Sequence, residues 1–343
     1  MMNKDTIKEL LKRCFPGSDE YYDRYMERRG DVDSSVTTTH DGRLIADLQQ
    51  TAYPMRCFGG TISTAYYHSA CVAPEARRQG VMQRLMGEAL QRSRNEGAAL
   101  CTLIPADAGL YGYYERTMGF TAIFHSVRHR IELTPDGQAD PAAYTLHRHA
   151  HSGKAVFHYL AEHLGRRRCC VLHTEEELAF VVDDILIDGG WLYTLSHGQS
   201  VVALAIGFTH PEQDALVLKE VMADSEEAQQ VLLSRVGAEQ QVTKAVVNTP
   251  TPDAAAPAFG MARIVHPLPL LRLYAAAHPE VERHLWVSDP VIFANNGYYD
   301  LADGECTCGD DPMPDEYYEE LDIGELADRL FADERPFMSL MFD

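Results

Sequence analysis

The chain has 343 residues, 45% hydrophobic and 24% charged, which is material for two or three globular domains with apolar cores. Thirty Lys and Arg stand against 51 Asp and Glu, a formal charge of −21. That balance excludes a general nucleic-acid binder, since no basic stripe is there to release a polyanion's counterions, and it favours a cationic small molecule or basic peptide as partner.

Residues 3–14 place Ile7, Leu10, Leu11 and Cys14 on one helical face, and Asp19 to Arg29 form a second short helix carrying Tyr21, Tyr22 and Tyr25. The period then changes to two. VTTTH and RLIADLQQTAYPM flank Asp41-Gly42, a hairpin signal, and a further strand covers Thr61 to Val72. From Val81 the helical period returns through Met82, Leu85, Met86, Ala89 and Leu90, and Gly97 stops it. AALCTLIP reads as a short strand, followed by a tyrosine-rich helix and the strand TAIFHSVRHRIEL. This first segment is a mixed α/β unit with a parallel crossover at its centre.

LTPDGQADPAA marks a boundary near residue 135. Beyond it, a helix from Lys154 to His163 precedes the strands AFVVDDILIDGGWLYTLSH, SVVALAIGFTH and DALVLKEVM, then a helix around Glu226–Glu239 and the strand KAVVNTP. TPTPDAAAPAFG is a linker by composition. A third, smaller α/β unit follows, closed by an amphipathic helix near Ile323–Phe331. The expected division is 1–134, 135–262 and 263–343.

The N-terminal MMNKDTIKELLKR has no apolar signal core, and the longest apolar stretches, such as VVALAIGF, are far short of the roughly 20 residues that span a bilayer. No membrane role is expected. The eight cysteines form neither a secreted disulfide framework nor a Cys-x-x-Cys zinc pair, so a reducing cytoplasm is the expected compartment.

The stretch CVAPEARRQGVMQRLM carries the chemistry. A strand ends, Val72-Ala73-Pro74 turns the chain, and Arg77-Arg78-Gln79-Gly80-Val81-Met82 opens a helix. Amides at a helix start lack intrahelical partners, and the macrodipole places partial positive charge there, so a pyrophosphate fits. Gly80 lets phosphate oxygens approach the backbone, and Arg77 and Arg78 add charge.

Val-x-Pro-x-x-Arg-x-x-Gly, an amphipathic helix, a short strand and Tyr-Tyr-Glu-Arg-x-Met-Gly-Phe together resemble the GNAT superfamily of acyl-CoA-dependent N-acetyltransferases. The resemblance implies that acetyl-CoA is the cosubstrate and that no metal is needed. It implies that the backbone around Cys71 and Val72 pairs with the pantetheine arm, that the amides of Arg78 to Met82 hold the pyrophosphate, and that Tyr114 faces the thioester sulfur. Tyr114 lies six residues before Phe120 where five is usual, which keeps Tyr111 and Tyr113 as alternates.

RRQGVMQRLM and the C-terminal VHPLPLLR and LWVSDPVIFANNGYYDL resemble the enhanced intracellular survival (Eis-like) branch, whose members join two GNAT-like domains to one resembling a sterol carrier protein. This resemblance implies a tandem α/β architecture of mixed sheets; branch members can assemble into homo-oligomeric rings, though no feature of this sequence specifies an oligomeric state. The second domain lacks a Val-x-Pro-x-x-Arg-x-x-Gly stretch, so no coenzyme site is expected there. The resemblance also implies a terminal carboxylate, here that of Asp343, placed in the first domain's active site as base. The apolar tail RPFMSLMFD fits a docked end.

The expected reaction is therefore transfer of an acetyl group to a primary amine of a cationic acceptor, an aminoglycoside, a polyamine or a lysine. A hydrophobic-ligand-binding protein and a non-catalytic acetyl-CoA-binding scaffold are the alternatives. Four other clusters stand apart from this reading. Cys71 and Cys101 read as packing residues rather than nucleophiles. His147, His149, His151, His158 and His163 lack the spacing of a metal site. Asp19, Glu20 and Asp23 with the three tyrosines either line a cationic pocket or belong to a packed helix. Between Asp300 and Asp343, 15 acids against two arginines form a solvated face or an acidic wall beside a site.

Overall fold

A computed structural model gives the fold and describes residues 3–28, 32–133, 143–251, 253, 255–314 and 316–341. The chain divides into two compact units, Met1–Phe124 with Ala258–Arg335, and His125–Pro257 with Pro336–Phe342.

Helix α1 (Lys4–Cys14) starts at Asn3, whose side chain accepts from the Thr6 amide, and buries Ile7, Leu10 and Leu11. Helix α2 (Asp19–Arg28) follows and buries Tyr22, Tyr25 and Met26. Strands β1 (Ser35–His40) and β2 (Arg43–Cys57) form the expected hairpin, with Asp41 and Gly42 both at positive φ. A second tight turn at Phe58 and Gly59 joins β2 to the antiparallel β3 (Gly60–Val72). Helix α3 (Val81–Asn95) buries the predicted stripe of Val81, Leu85, Met86, Ala89 and Leu90, and returns the chain to β4 (Leu100–Leu103), parallel to β3. Helix α4 (Ala108–Met118) and β5 (Thr121–Glu132) complete the run.

The second unit continues with β6 (Tyr144–His149), α5 (Lys154–Gly165), β7 (Cys170–Val171), α6 (Glu175–Ile187), β8 (Trp191–His197), β9 (Ser200–His210), β10 (Ala215–Ala223), α7 (Glu226–Gln240) and β11 (Lys244–Pro250). Its sheet runs β5-β11-β10-β9-β8-β6. One apolar cluster joins α5 and α6 to β9, and another gathers α7 with β8 and β10. The sequence reading is corrected at AFVVDDILI, expected as strand and found inside α6. Its β-branched run hides a helical face of Leu178, Val181, Val182 and Ile185, and Thr174 caps the start by accepting from the Glu177 amide.

The last segment supplies β12 (Ala258–Ile264), α8 (Pro267–Ala277), β13 (Arg283–Ser288), β14 (Gly297–Ala302), β15 (Glu305–Gly309), β16 (Glu319–Asp322) and α9 (Ile323–Phe331). The first three residues of β12 had been read as linker. Strand β12 lies antiparallel beside β4, so the first unit's sheet runs β1-β2-β3-β4-β12. The other four strands form a separate sheet, β15-β14-β13-β16. No helix among the described residues is long and apolar enough to cross a membrane.

Arg263 on β12 is fully buried and ties these parts of the first unit together. Its Nε donates to the Met118 carbonyl at the end of α4 (2.6 Å), and its Nη2 donates to Asp289, also fully buried, at 2.6 Å. Asp289 further accepts from the Val291 and Ile292 amides and from Asn295, whose Oδ1 takes Arg94 of α3 at 3.1 Å. At the C-cap of α4, Gly119 has φ +66, and a Cβ there would lie 2.9 Å from Ile323 of α9. Asp289→Asn keeps the shape but leaves a buried guanidinium without its counter-charge, so a loss of about 3–5 kcal/mol in urea unfolding is expected.

Candidate active site

The site starts where two parallel strands part. Strand β4 pairs with β3 only from Thr64 to Tyr67, while β3 runs on to Val72 with no strand among the described residues against that edge. The parting coincides with a bulge. Across β2, Asp47 pairs with Cys71 and Gln49 with His68, so one rung is skipped, and Ser69 takes φ +53. The freed edge from His68 onward offers main-chain groups to an extended ligand. The Val72 carbonyl is already engaged, by Arg77 Nε at 3.0 Å and the Cys14 thiol at 3.5 Å.

Just beyond this edge the chain makes a 3₁₀ turn (Pro74–Ala76) and enters the predicted anion loop. Arg78 and Gly80 both adopt left-handed conformations, φ +62 and +71. Gly80 is the N-cap of α3 and contributes no side-chain cap. The first intrahelical amide bond runs from Arg84 to the Gly80 carbonyl, so the amides of Val81, Met82 and Gln83 point out of the helix start. Arg77, Arg78, Gln79 and Gly80 are exposed around them. The loop is braced from both sides: Arg13 holds Glu75 with a two-pronged contact at 2.6–2.7 Å, and Arg84 donates to the Gln79 carbonyl. Uncapped amides beside two guanidinium groups suit a pyrophosphate.

Tyr114 lies on α4, which Asp107 caps by accepting from the Gly109 and Leu110 amides. Its ring packs on Phe120 at 5.8 Å, and Phe120 faces Tyr67 at 6.5 Å, the last residue of β3 still paired with β4. An aromatic row thus leads from Tyr114 to the fork. Burial, then the charges of Tyr113 and Asp107, push the Tyr114 phenol up to about 12. Of the alternates, Tyr111 donates to the Ala258 carbonyl at 3.0 Å, so its proton is committed. Tyr113 is half-buried beside Tyr114, and burial raises its pKa too.

The other candidates fall apart from this arrangement. Asp343 lies outside the described residues. The tail before it is held within the second unit: Phe337 bridges Cys169 and Val171, Arg167 stacks on its ring at 3.8 Å, and the Ser339 carbonyl meets His173 at 2.9 Å. On α1 and α2, Lys12 pairs with Asp19 and Lys8 with Asp23, which favours the packed-helix reading over a cationic pocket. No cluster of three metal-ligating side chains occurs among the described residues. Sequence reasoning passed over Tyr67, Ser69 and Cys14, because a bulge and a packed aromatic row leave no local spacing signal.

Residues 3–120 match the family model of the acetyltransferase (GNAT) domain. Among solved structures, a GCN5-related N-acetyltransferase from Anabaena variabilis aligns over 97% of this chain and 96% of its own, with TM-score 0.76 at 18% identity. One from Kribbella flavida aligns over 100% and 97%, with TM-score 0.73 at 17% identity. Eis1 from Mycobacterium abscessus aligns over 94% and 88%, with TM-score 0.64 at 15% identity. No curated protein matches the chain in sequence. The mixed α/β fold is GNAT-like, and residues 3–120 carry the match to the acetyltransferase domain.

A Cβ at Gly80 meets nothing nearer than the Arg84 guanidinium at 3.4 Å, so the cost of Gly80→Ala is backbone strain rather than a clash. That strain is worth about 1–2 kcal/mol. The variant is expected to fold with slightly lower thermal stability and to bind coenzyme A more weakly in calorimetry, because its first-turn amides are re-aimed.

Proposed function

We propose that the protein moves the acetyl group of acetyl-CoA directly to a primary amine of a cationic acceptor, an aminoglycoside- or polyamine-like molecule or a lysine side chain. One observation carries this reading: the unpaired edge of β3 leads within one turn into the uncapped start of α3. A thioester arm on the first and a pyrophosphate on the second match the two halves of a coenzyme. The acceptor class rests on the net charge of −21 and on the branch resemblance.

In this mechanism the pantetheine arm pairs with β3 between His68 and Cys71 rather than through the Val72 carbonyl. The amides of Val81 and Met82, with Arg77 and Arg78, hold the phosphates. A free alkylamine near pKa 10 is mostly protonated at neutral pH, so a base must take its proton before attack. The carboxylate of Asp343 is assigned that step, directly or through water. The amine nitrogen then attacks the thioester carbon, and the sulfur leaves as a thiolate that takes the Tyr114 proton. Tyr114 suits the acid role because burial keeps the phenol protonated far into the alkaline range. No covalent acyl-enzyme is required.

The second unit is proposed to have a GNAT-like fold without a coenzyme site, since it lacks a Val-x-Pro-x-x-Arg-x-x-Gly stretch. The segment after it is proposed as the sterol-carrier-like part, and assembly as a homo-oligomer.

The test is coenzyme A release from acetyl-CoA with a panel of aminoglycosides, polyamines and lysine peptides. Amine-dependent release supports the assignment; tight acetyl-CoA binding without release from any amine points to a scaffold instead. Tyr114→Phe is expected to lower kcat by about 100-fold or more, with acetyl-CoA affinity unchanged. Tyr113→Phe is expected to leave the rate near the native value. With the Tyr114 phenol pushed up to about 12, its deprotonation causes no fall in the native rate up to pH ~10.

A further inference from the structure

Where α1 ends against the last rungs of β3, two cysteines meet. Cys14 at the end of α1 reaches the main chain beside Cys71, and each thiol is the largest influence on the other's acidity, with Arg77 acting on Cys14 as well. Cys14 donates to the Val72 carbonyl at 3.5 Å, the same oxygen that Arg77 holds at 3.0 Å. Cys71 is 3% exposed, whereas Cys14 is half-buried and within reach of solvent. On the far side of Cys71 stands its rung partner Asp47, fully buried, with an Oδ1 that has no hydrogen-bond partner. Two adjacent thiols thus sit between a guanidinium and a buried carboxylate, an arrangement that apolar packing does not require.

The pair shares its protons unequally. Its contact with Cys71, opposed by burial and aided by Arg77 and Arg13, lowers the Cys14 thiol to about 7. Its contact with Cys14, followed by burial, raises Cys71. The sulfur that gives up its proton more readily is therefore the more accessible one. Burial acts the other way on Cys57, Cys101, Cys170 and Cys306, pushing their thiols up to between about 11 and about 12. Thiolate character and access together decide which cysteine a peroxide attacks.

We propose that Cys14 and Cys71 are a peroxide-responsive dithiol that closes to a disulfide beside the coenzyme site. The location relative to a coenzyme rests on the acetyltransferase reading; the thiol chemistry does not. In the first step the Cys14 thiolate attacks a hydroperoxide, the S–O bond forms as the O–O bond breaks, and the alkoxide or hydroxide leaves with a proton from water. Cys14 is then a sulfenic acid, and the negative sulfur that held the Cys71 proton in place is gone. The Cys71 sulfur next attacks Cys14, the S–S bond forms, the S–O bond breaks, and water departs carrying the Cys71 proton. The two thiols lose two electrons and two protons, and the peroxide is reduced to alcohol and water.

The experiment treats the full-length chain with a slight excess of hydrogen peroxide, alkylates the remaining thiols and maps the peptides by mass. The expected result is a chain with two fewer alkylatable thiols and a Cys14–Cys71 linked peptide pair, reversed by dithiothreitol. In Cys71→Ser, Cys14 is expected to stop at the sulfenic acid and to be trapped by dimedone. Should that buried substitution fold poorly, the native chain still gives an answer. Its Cys14 alkylation rate should rise with pH through a midpoint near about 7. A midpoint near 9, or first oxidation at Cys169–Cys170 or Cys306–Cys308, overturns the proposal. These readouts need no acetyl-CoA, so a failed transferase assay leaves them standing. Protection of Cys14 from alkylation by added acetyl-CoA reports separately on the coenzyme site.

Discussion

A guanidinium with no water around it has to find its partners in the protein, and Arg263 finds them at the end of α4, on its own strand β12 and in the loop after β13. It closes the C-terminus of α4 through the Met118 carbonyl, and through Asp289 and Asn295 it reaches Arg94 near the end of α3. Those helices bear the two halves of the candidate site, the uncapped amides on α3 and Tyr114 on α4. Breaking one ion of such a pair is costly because the other stays buried and unpaired. The geometry of the site is thereby set by residues that take no part in its chemistry, and α9 against Gly119 closes the same corner.

From that fixed corner the rest follows by economy of backbone hydrogen bonding. A strand that outlasts its neighbour has unpaired main-chain groups, and a helix that starts without a side-chain cap has unpaired amides. Water satisfies such groups at the surface, and a ligand that replaces it gains a continuous row of main-chain partners. Here the two sets succeed each other between His68 and Gln83, joined by a turn that Arg13 braces through Glu75. The left-handed conformation of Arg78, unfavourable for a side-chain-bearing residue, belongs to the same stretch.

How much of this was legible in the sequence depended on the range of the signal. The α3 stripe, the Arg77–Gly80 loop and the Asp41–Gly42 turn are local, and the periodicity and turn residues announced them. Helix α6 was misread because Val181, Val182 and Ile185 are strand-favouring in isolation; the Thr174 cap and the four-residue spacing from Leu178 were the better evidence. The placement of β12 beside β4, which puts Arg263 opposite Cys101, is a pairing of segments far apart in sequence. Arg263 and Asp289 carry no motif. The resemblance implied a ligand along the backbone near Cys71 and Val72, but the parting of β3 from β4 and the bulge at Ser69 have no signature that a single sequence could reveal. The three tyrosines could be told apart only once Tyr111 was seen to spend its proton on the Ala258 carbonyl.

The central claim is that acetyl-CoA lies along the freed edge of β3 and across the start of α3. Hydrogen exchange of the native chain, followed by mass spectrometry with and without acetyl-CoA, tests it most directly. The account predicts slowed exchange confined mainly to peptides covering 68–72 and 78–84, where main-chain amides would pass from water to the ligand. Binding that protects other segments while these amides exchange at the free rate would contradict it.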